Sequence, residues 1–163
     1  RVLFVGPYQN VVGEMGYAQR LAPLIQSAGQ HWSFLGVVSP QEMAAFFHEC
    51  EVTVLPSINS TESYGLVQVE SMTCGTPVVA SDIPGVRVPV TMSGTGQIVA
   101  PGDVNELAKA LIAILEDPEA YQGDPEKVVQ LSTPQSVAVE YETAFRMAQK
   151  KTTKPAKQES LSA

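Results

Sequence analysis

The sequence is short of cysteine, of basic charge and of long apolar runs. Its 163 residues include two cysteines, Cys50 and Cys74, and 10 Lys and Arg against 17 Asp and Glu. The cysteine spacing matches no metal or dithiol pattern, and both residues lie in apolar surroundings. They read as reduced structural thiols of a cytosolic protein. No apolar run is long enough to span a membrane, and no signal-peptide pattern is present, so the predicted location is cytoplasmic. Residues 1–149 carry 6 basic and 16 acidic groups, while residues 150–163 carry four Lys and one Glu. An acidic body argues against nucleic acid as a partner. No internal repeat is visible.

What is present fits an α/β domain. Hydrophobic residues make up 44% of the chain, enough for one domain with a core. The chain lacks an initiating Met and opens inside the strand VLFVG, which reads as a piece of a longer protein. A polar loop, GPYQNVVGE, follows. Leu21, Leu24, Ile25 and Ala28 have helical spacing, and Gly29 stops the run. Trp32 to Leu35 reads as the next strand, closed by Gly36. Ser39-Pro40-Gln41-Glu42 is a capping box, so a helix is predicted from Pro40 to about Glu49. Ile98 and Val99 form a short final strand. Asp103 and Glu106 cap a helix whose apolar stripe is Val104, Leu107, Ala108, Leu111, Ile112 and Leu115. Residues 117–132 read as polar and irregular. Thr133-Pro134 opens a last helix with Val137, Tyr141, Ala144, Phe145 and Ala148 on one face. From Lys150 the tail is expected to be disordered. The alternation predicts a five-stranded, mostly parallel α/β unit over residues 1–149, with ligands at the carboxyl ends of the strands.

The stretch from Val54 to Asp82, VLPSINSTESYGLVQVESMTCGTPVVASD, is the centre of this layout. Val52 to Leu55 is a strand ended by Pro56. Asn59, Ser60 and Thr61 can receive a helix's free amides. The helix is expected to start near Tyr64 or Gly65 and to stop at Gly75, before a strand at Val78-Val79-Ala80. A helix N-terminus at the carboxyl end of a parallel strand holds phosphate without a basic side chain, and Gly65 admits an anion close to the backbone. Glu62 lies in the entry loop. Glu70 lies inside the helix, where side chains lean back toward the N-terminus. A carboxylate accepts two vicinal hydroxyls well, so the pair suggests a ligand carrying both phosphate and several hydroxyls.

The words around the two glutamates are more specific than their spacing. PS before them, YG between them and CGTPVVAS after them resemble the E-x7-E signature of the family 4 retaining glycosyltransferases, and the resemblance runs from Val2 to about Gln149. It implies the C-terminal, donor-binding half of a GT-B architecture with a Rossmann-like parallel sheet. By that resemblance Glu70 holds ribose hydroxyls, and the backbone around Tyr64, Gly65, Leu66 and Val67 holds the diphosphate of a nucleotide-diphosphate sugar. FLG (Phe34 to Gly36) with Val37 and Val38 packs on the nucleobase, and Glu62 faces the transferred sugar. Retention without metal or cofactor is implied, as are an N-terminal acceptor-binding domain as partner and weak contact with the inner membrane face through the Lys tail.

The family pattern is departed from in three ways. The first strand of the domain, with its glycine-rich, Lys-containing loop, is expected to be missing, and that strand is central in the usual order. Val88 stands where Glu is expected, and the acceptor domain is absent. Two other functions compete with glycosyl transfer: a catalytically silent nucleotide-binding or interaction module, and a sugar-nucleotide epimerase. His31 and His48 read as structural. Arg87, beside the Pro84-Gly85 turn, reads as a surface residue or as a positive charge near the donor. Ser93-Gly94-Thr95-Gly96 reads as a turn.

Overall fold

The structure, a computed structural model, describes residues 1–8 and 15–152. Residues 9–14 of the polar loop GPYQNVVGE, and residues 153–163 of the tail, lie outside the described residues. The chain divides into two compact units, Arg1–Phe46 and Phe47–Ala163.

In the first unit, β1 (Val2–Val5) and β2 (Trp32–Gly36) pair in parallel, with Val2 opposite Trp32 and Phe4 opposite Phe34. Parallel neighbours need a crossover, which α1 (Met15–Ala28) supplies. Phe34 anchors a small aromatic cluster, stacked on Tyr8 at 4.4 Å and edge-on to Phe4 at 5.4 Å. None of this unit's described residues is fully buried. The predicted capping box opens α2 (Pro40–His48). The Ser39 amide donates to Glu42 Oε2 at 2.7 Å, and the Glu42 amide donates to Ser39 Oγ at 3.3 Å. Those bonds hold the Glu42 carboxyl below its ordinary range.

In the second unit, β3 (Thr53–Leu55), β4 (Val78–Ser81) and β5 (Gly96–Val99) form a parallel sheet in that order. Central β4 is buried along its whole length. Successive side chains of a strand face opposite sides, and the core divides accordingly. Val78 and Ala80 pack with Met72, Val86, Val90 and Val128 on one face. Val79 packs with Val99, Ala110 and Ile114 on the other. The helices are α3 (Leu66–Thr73), α4 (Val88–Ser93), α5 (Val104–Glu116), α6 (Pro125–Ser132) and α7 (Pro134–Thr152). Among the described residues no helix is long and apolar enough to cross a membrane.

Several expectations are corrected. The five strands form two parallel sheets of two and three, with no ladder joining them among the described residues. β1 gives its ladder to β2 and β3 gives its ladder to β4, and each leaves its other edge unpaired. Residues 117–132 are not irregular. A 3-10 turn at Pro118–Tyr121 and helix α6 occupy them, capped by the carboxylates of Asp117 and Asp124. Helix α4 lies where none was expected. Helix α5 keeps part of its predicted stripe: Leu107 and Leu111 pack against the core, but the buried residues are Ala110 and Ile114, while Val104, Ala108, Ile112 and Leu115 are exposed. The Asp103 cap forms, its carboxylate accepting from the amides of Asn105 and Glu106, but the Glu106 carboxylate reaches past it to accept from the Ala100 amide. The stripe of α7 is also exposed at Val137, Tyr141 and Phe145. Lys150 to Thr152, assigned to the tail, continue that helix.

Candidate functional site

The first strand–loop–helix of the second unit carries the predicted glutamates. β3 ends at Leu55, and α3 begins eleven residues later at Leu66. Asn59 organises the loop between them by accepting the Thr61 amide at 3.1 Å. Glu62 is half-buried, and its Oε1 accepts the amide of Gly65 at 3.0 Å and that of Tyr64 at 3.4 Å. The catalytic candidate therefore also caps the helix entrance. The first amides of α3 proper, those of Leu66 and Val67, donate to nothing among the described residues. They remain an open positive terminus, because the first turn of any helix lacks internal acceptors.

Gly65 is buried in the left-handed region (φ 75°), and a Cβ there would overlap Leu55 and come within 2.8 Å of Gln68 Nε2. Only glycine fits both demands. Glu70 stands four residues after Leu66 and three after Val67, and all three are exposed. They share a face, and helical side chains lean toward the N-terminus, the end that carries the two open amides. The structure thus brings Glu62, Tyr64, Gly65, Leu66, Val67 and Glu70 to one helix terminus. Tyr64 is half-buried; burial, and then the Glu140 carboxylate of α7, push its phenol up and keep it neutral. Gly36 (φ 74°), Val37 and Val38 lie at the carboxyl end of β2 in the first unit, with Val37 largely exposed.

Sequence reasoning missed the residue that secures this terminus. Gln68 is wholly buried, and its Nε2 donates to Tyr64 O at 2.8 Å and to Val86 O at 2.9 Å. Its Oε1 has no partner among the described residues. Gln68 ties the glutamate loop to the Ile83–Val88 segment, where Gly85 packs so closely on Ser63 that a Cβ would overlap the Ser63 carbonyl oxygen. No periodicity announces such a clamp; a polar residue inside an apolar helix face was the one available signal. An apolar pocket lies at the carboxyl ends of the strands, lined by Pro56, Ile58, Ser81, Val99 and Val104 among others. Cys50 and Cys74 are half-buried free thiols, and burial ahead of the neighbouring Glu51 and Glu49 pushes the Cys50 thiol up, away from reactivity. No cluster able to hold a metal ion occurs among the described residues.

The sequence profile of the family described as Glycosyl transferases group 1 matches residues 7–126, the span that contains both glutamates and their clamp. The chain belongs to the group 1 glycosyltransferases. Among relatives of this group 1 chain, a glycogen synthase of Mycobacterium tuberculosis is 40% identical over 89 residues, covering 55% of this chain and 21% of that protein. A D-inositol 3-phosphate glycosyltransferase of Mycobacterium marinum is 34% identical over 114 residues, covering 70% of this chain and 22% of that protein. The chain therefore spans about a fifth of the length of these relatives. Sucrose-phosphate synthase of Thermosynechococcus elongatus superposes with a TM-score of 0.73 at 31% identity, over 90% of this chain and 38% of that one. HepE of Anabaena, solved in complex with UDP, gives 0.67 at 27% identity, over 90% and 40%. The α/β architecture of parallel sheets with flanking helices is that of GT-B glycosyltransferases.

Proposed function

We propose that this chain is the donor-binding half of a retaining hexosyltransferase, which takes a sugar from a nucleotide-diphosphate sugar. The observation that carries the reading is the open α3 terminus, with Glu62 at its mouth and Glu70 exposed about one turn into the helix. The bond broken joins the anomeric carbon to phosphate, so negative charge grows on the leaving diphosphate. The free amides of Leu66 and Val67 are fixed dipoles that stabilise such charge with little reorganisation. Glu70 takes the ribose hydroxyls. Glu62 faces the transferred sugar and steadies positive charge on its ring. Gly36, Val37 and Val38 receive the nucleobase. Neither metal nor cofactor has a part in this scheme. The acceptor hydroxyl is positioned by an N-terminal domain, and the lysine tail, with four Lys, touches anionic lipid at the inner membrane face.

The test is calorimetric titration of this chain with UDP, GDP and ADP, followed by incubation of each matching nucleotide sugar with a panel of acceptors. One nucleoside diphosphate is expected to bind, and no transfer product is expected, since no acceptor group is positioned. Failure of all three nucleotides to bind would remove the donor-site reading. Turnover above background would remove the assignment to the donor half alone.

A further inference from the structure

The amides of Leu66 and Val67 supply dipoles, whereas a nucleoside diphosphate brings full charges into a protein whose residues 1–149 are strongly acidic. A cation beside those amides would add the charge pairing that dipoles alone do not supply. In residues 47–149 the basic side chains are Arg87, Lys109, Lys127 and Arg146. Lys127 pairs with Asp124 at the start of α6, and Arg146 pairs with Glu142 on α7. Lys109 lies on α5, the helix after β5.

Arg87 is placed differently. It follows Val86, whose carbonyl shares the Gln68 Nε2 donor with the carbonyl of Tyr64, so the two oxygens are at most two hydrogen-bond lengths apart. Two residues earlier, the backbone of Gly85 rests on Ser63. Two independent contacts therefore fasten the backbone of Arg87 beside the loop that delivers Gly65, Leu66 and Val67. Its guanidinium is held by one partner, Asp82 Oδ1 at 2.5 Å, in a pair whose side chains are 43% and 47% exposed. Surface pairs of this kind contribute little and exchange easily. A guanidinium also matches phosphate oxygens in a two-pronged geometry that a carboxylate on one atom does not use up.

We propose that Arg87 is the cation that meets the diphosphate of the donor, parked on Asp82 until the anion arrives. The inference rests on the donor-site reading above. It assigns a binding residue rather than a catalytic one, and it gives Asp82 the part of a competing anion.

The experiment is titration of this chain and its variants with UDP, GDP, ADP, inorganic pyrophosphate and uridine at low and high salt. Arg87→Gln is expected to weaken the bound nucleotide and pyrophosphate by about 10- to 100-fold and to flatten their salt dependence, with uridine unaffected. Asp82→Asn is expected to tighten both anions by about 2- to 5-fold, a gain that a merely structural residue would not produce. Unchanged pyrophosphate affinity in Arg87→Gln overturns the proposal while leaving the donor site intact. If Arg87→Gln does not fold, Asp82→Asn decides alone, and unchanged or weakened anion binding there overturns it. If the parent chain binds no nucleotide, both this inference and the donor-site reading fall together.

Discussion

Replacing Glu62 by Gln is expected, in a protein that carries the acceptor-binding half the proposed function calls for, to lower kcat by about 100-fold or more, while the donor KM stays nearly unchanged. The structure makes Gln a clean substitution. Glu62 uses one oxygen, Oε1, to accept the amides of Gly65 and Tyr64, and the carbonyl oxygen of Gln can accept both. The cap is retained and only the charge is lost. Under the proposed function that charge faces a sugar ring that becomes positive during transfer. Glu70→Gln is expected to behave oppositely, raising the donor KM by about 10-fold with a smaller change in kcat, because contacts to ribose hydroxyls differ little between ground and transition states. Steady-state kinetics with donor varied, together with calorimetry on each variant, separates the two. Donor binding lost in Glu62→Gln at unchanged kcat would reverse the assignment.

Gly85→Ala is expected to damage stability and donor binding together. Its Cβ would overlap the carbonyl oxygen of Ser63, which is backbone and cannot swing aside as a side chain would. Either the Ile83–Val88 segment must lift or the glutamate loop must move. Overpacking of this kind costs about 1–3 kcal/mol, and backbone against backbone lies at the upper end. For a chain of this size the loss lowers Tm by roughly 3–10 °C. Lifting the segment also strips Val86 O from Gln68, so nucleotide affinity is expected to fall by about 10-fold or more. Gly16→Ala on α1, where a Cβ meets nothing, is the matched control and is expected to be neutral or slightly stabilising. A Gly85→Ala protein that melted and bound like its parent would show that this contact is not tight in solution.

Local rules legible in the sequence carried over where a single residue type dictates a conformation. Ser39 and Glu42 cap as their spacing implies, Asp103 caps α5, and Gly75 (φ 87°) follows the end of α3 as its expected stop. The central strand–loop–helix was legible for the same reason, since PSINSTESYG carries polar turn residues between a β-branched strand and an apolar helix. What failed was orientation and pairing, which neighbours decide. The apolar residues of α5 are numerous enough to define two overlapping stripes, and Val79 and Val99 of the sheet select the one centred on Ala110 and Ile114. Helix α6 was hidden because the segment is short and, taken as a whole, hardly apolar; its marker was Asp124 followed by Pro125, a cap and a first-turn proline. The Gln68 clamp joins residues 18 apart through carbonyls, and backbone acceptors leave no imprint on side-chain pattern.

The burial of β4 on both faces, set against a first unit in which no described residue is fully buried, has a consequence for amide hydrogen exchange. Exchange at a hydrogen-bonded amide follows the cheapest opening that frees it. The amides of Val79 and Ala80 can be released only by breaking a ladder that also holds the packing of α3, α5 and α6 together, so they are expected to exchange at the rate set by global unfolding. Those of Leu3 and Phe34 sit in a two-stranded ladder with water on hand and are expected to exchange orders of magnitude sooner. One chain would then report two free energies of opening, and the sheet on which α3 packs through Met72 belongs to the slower one.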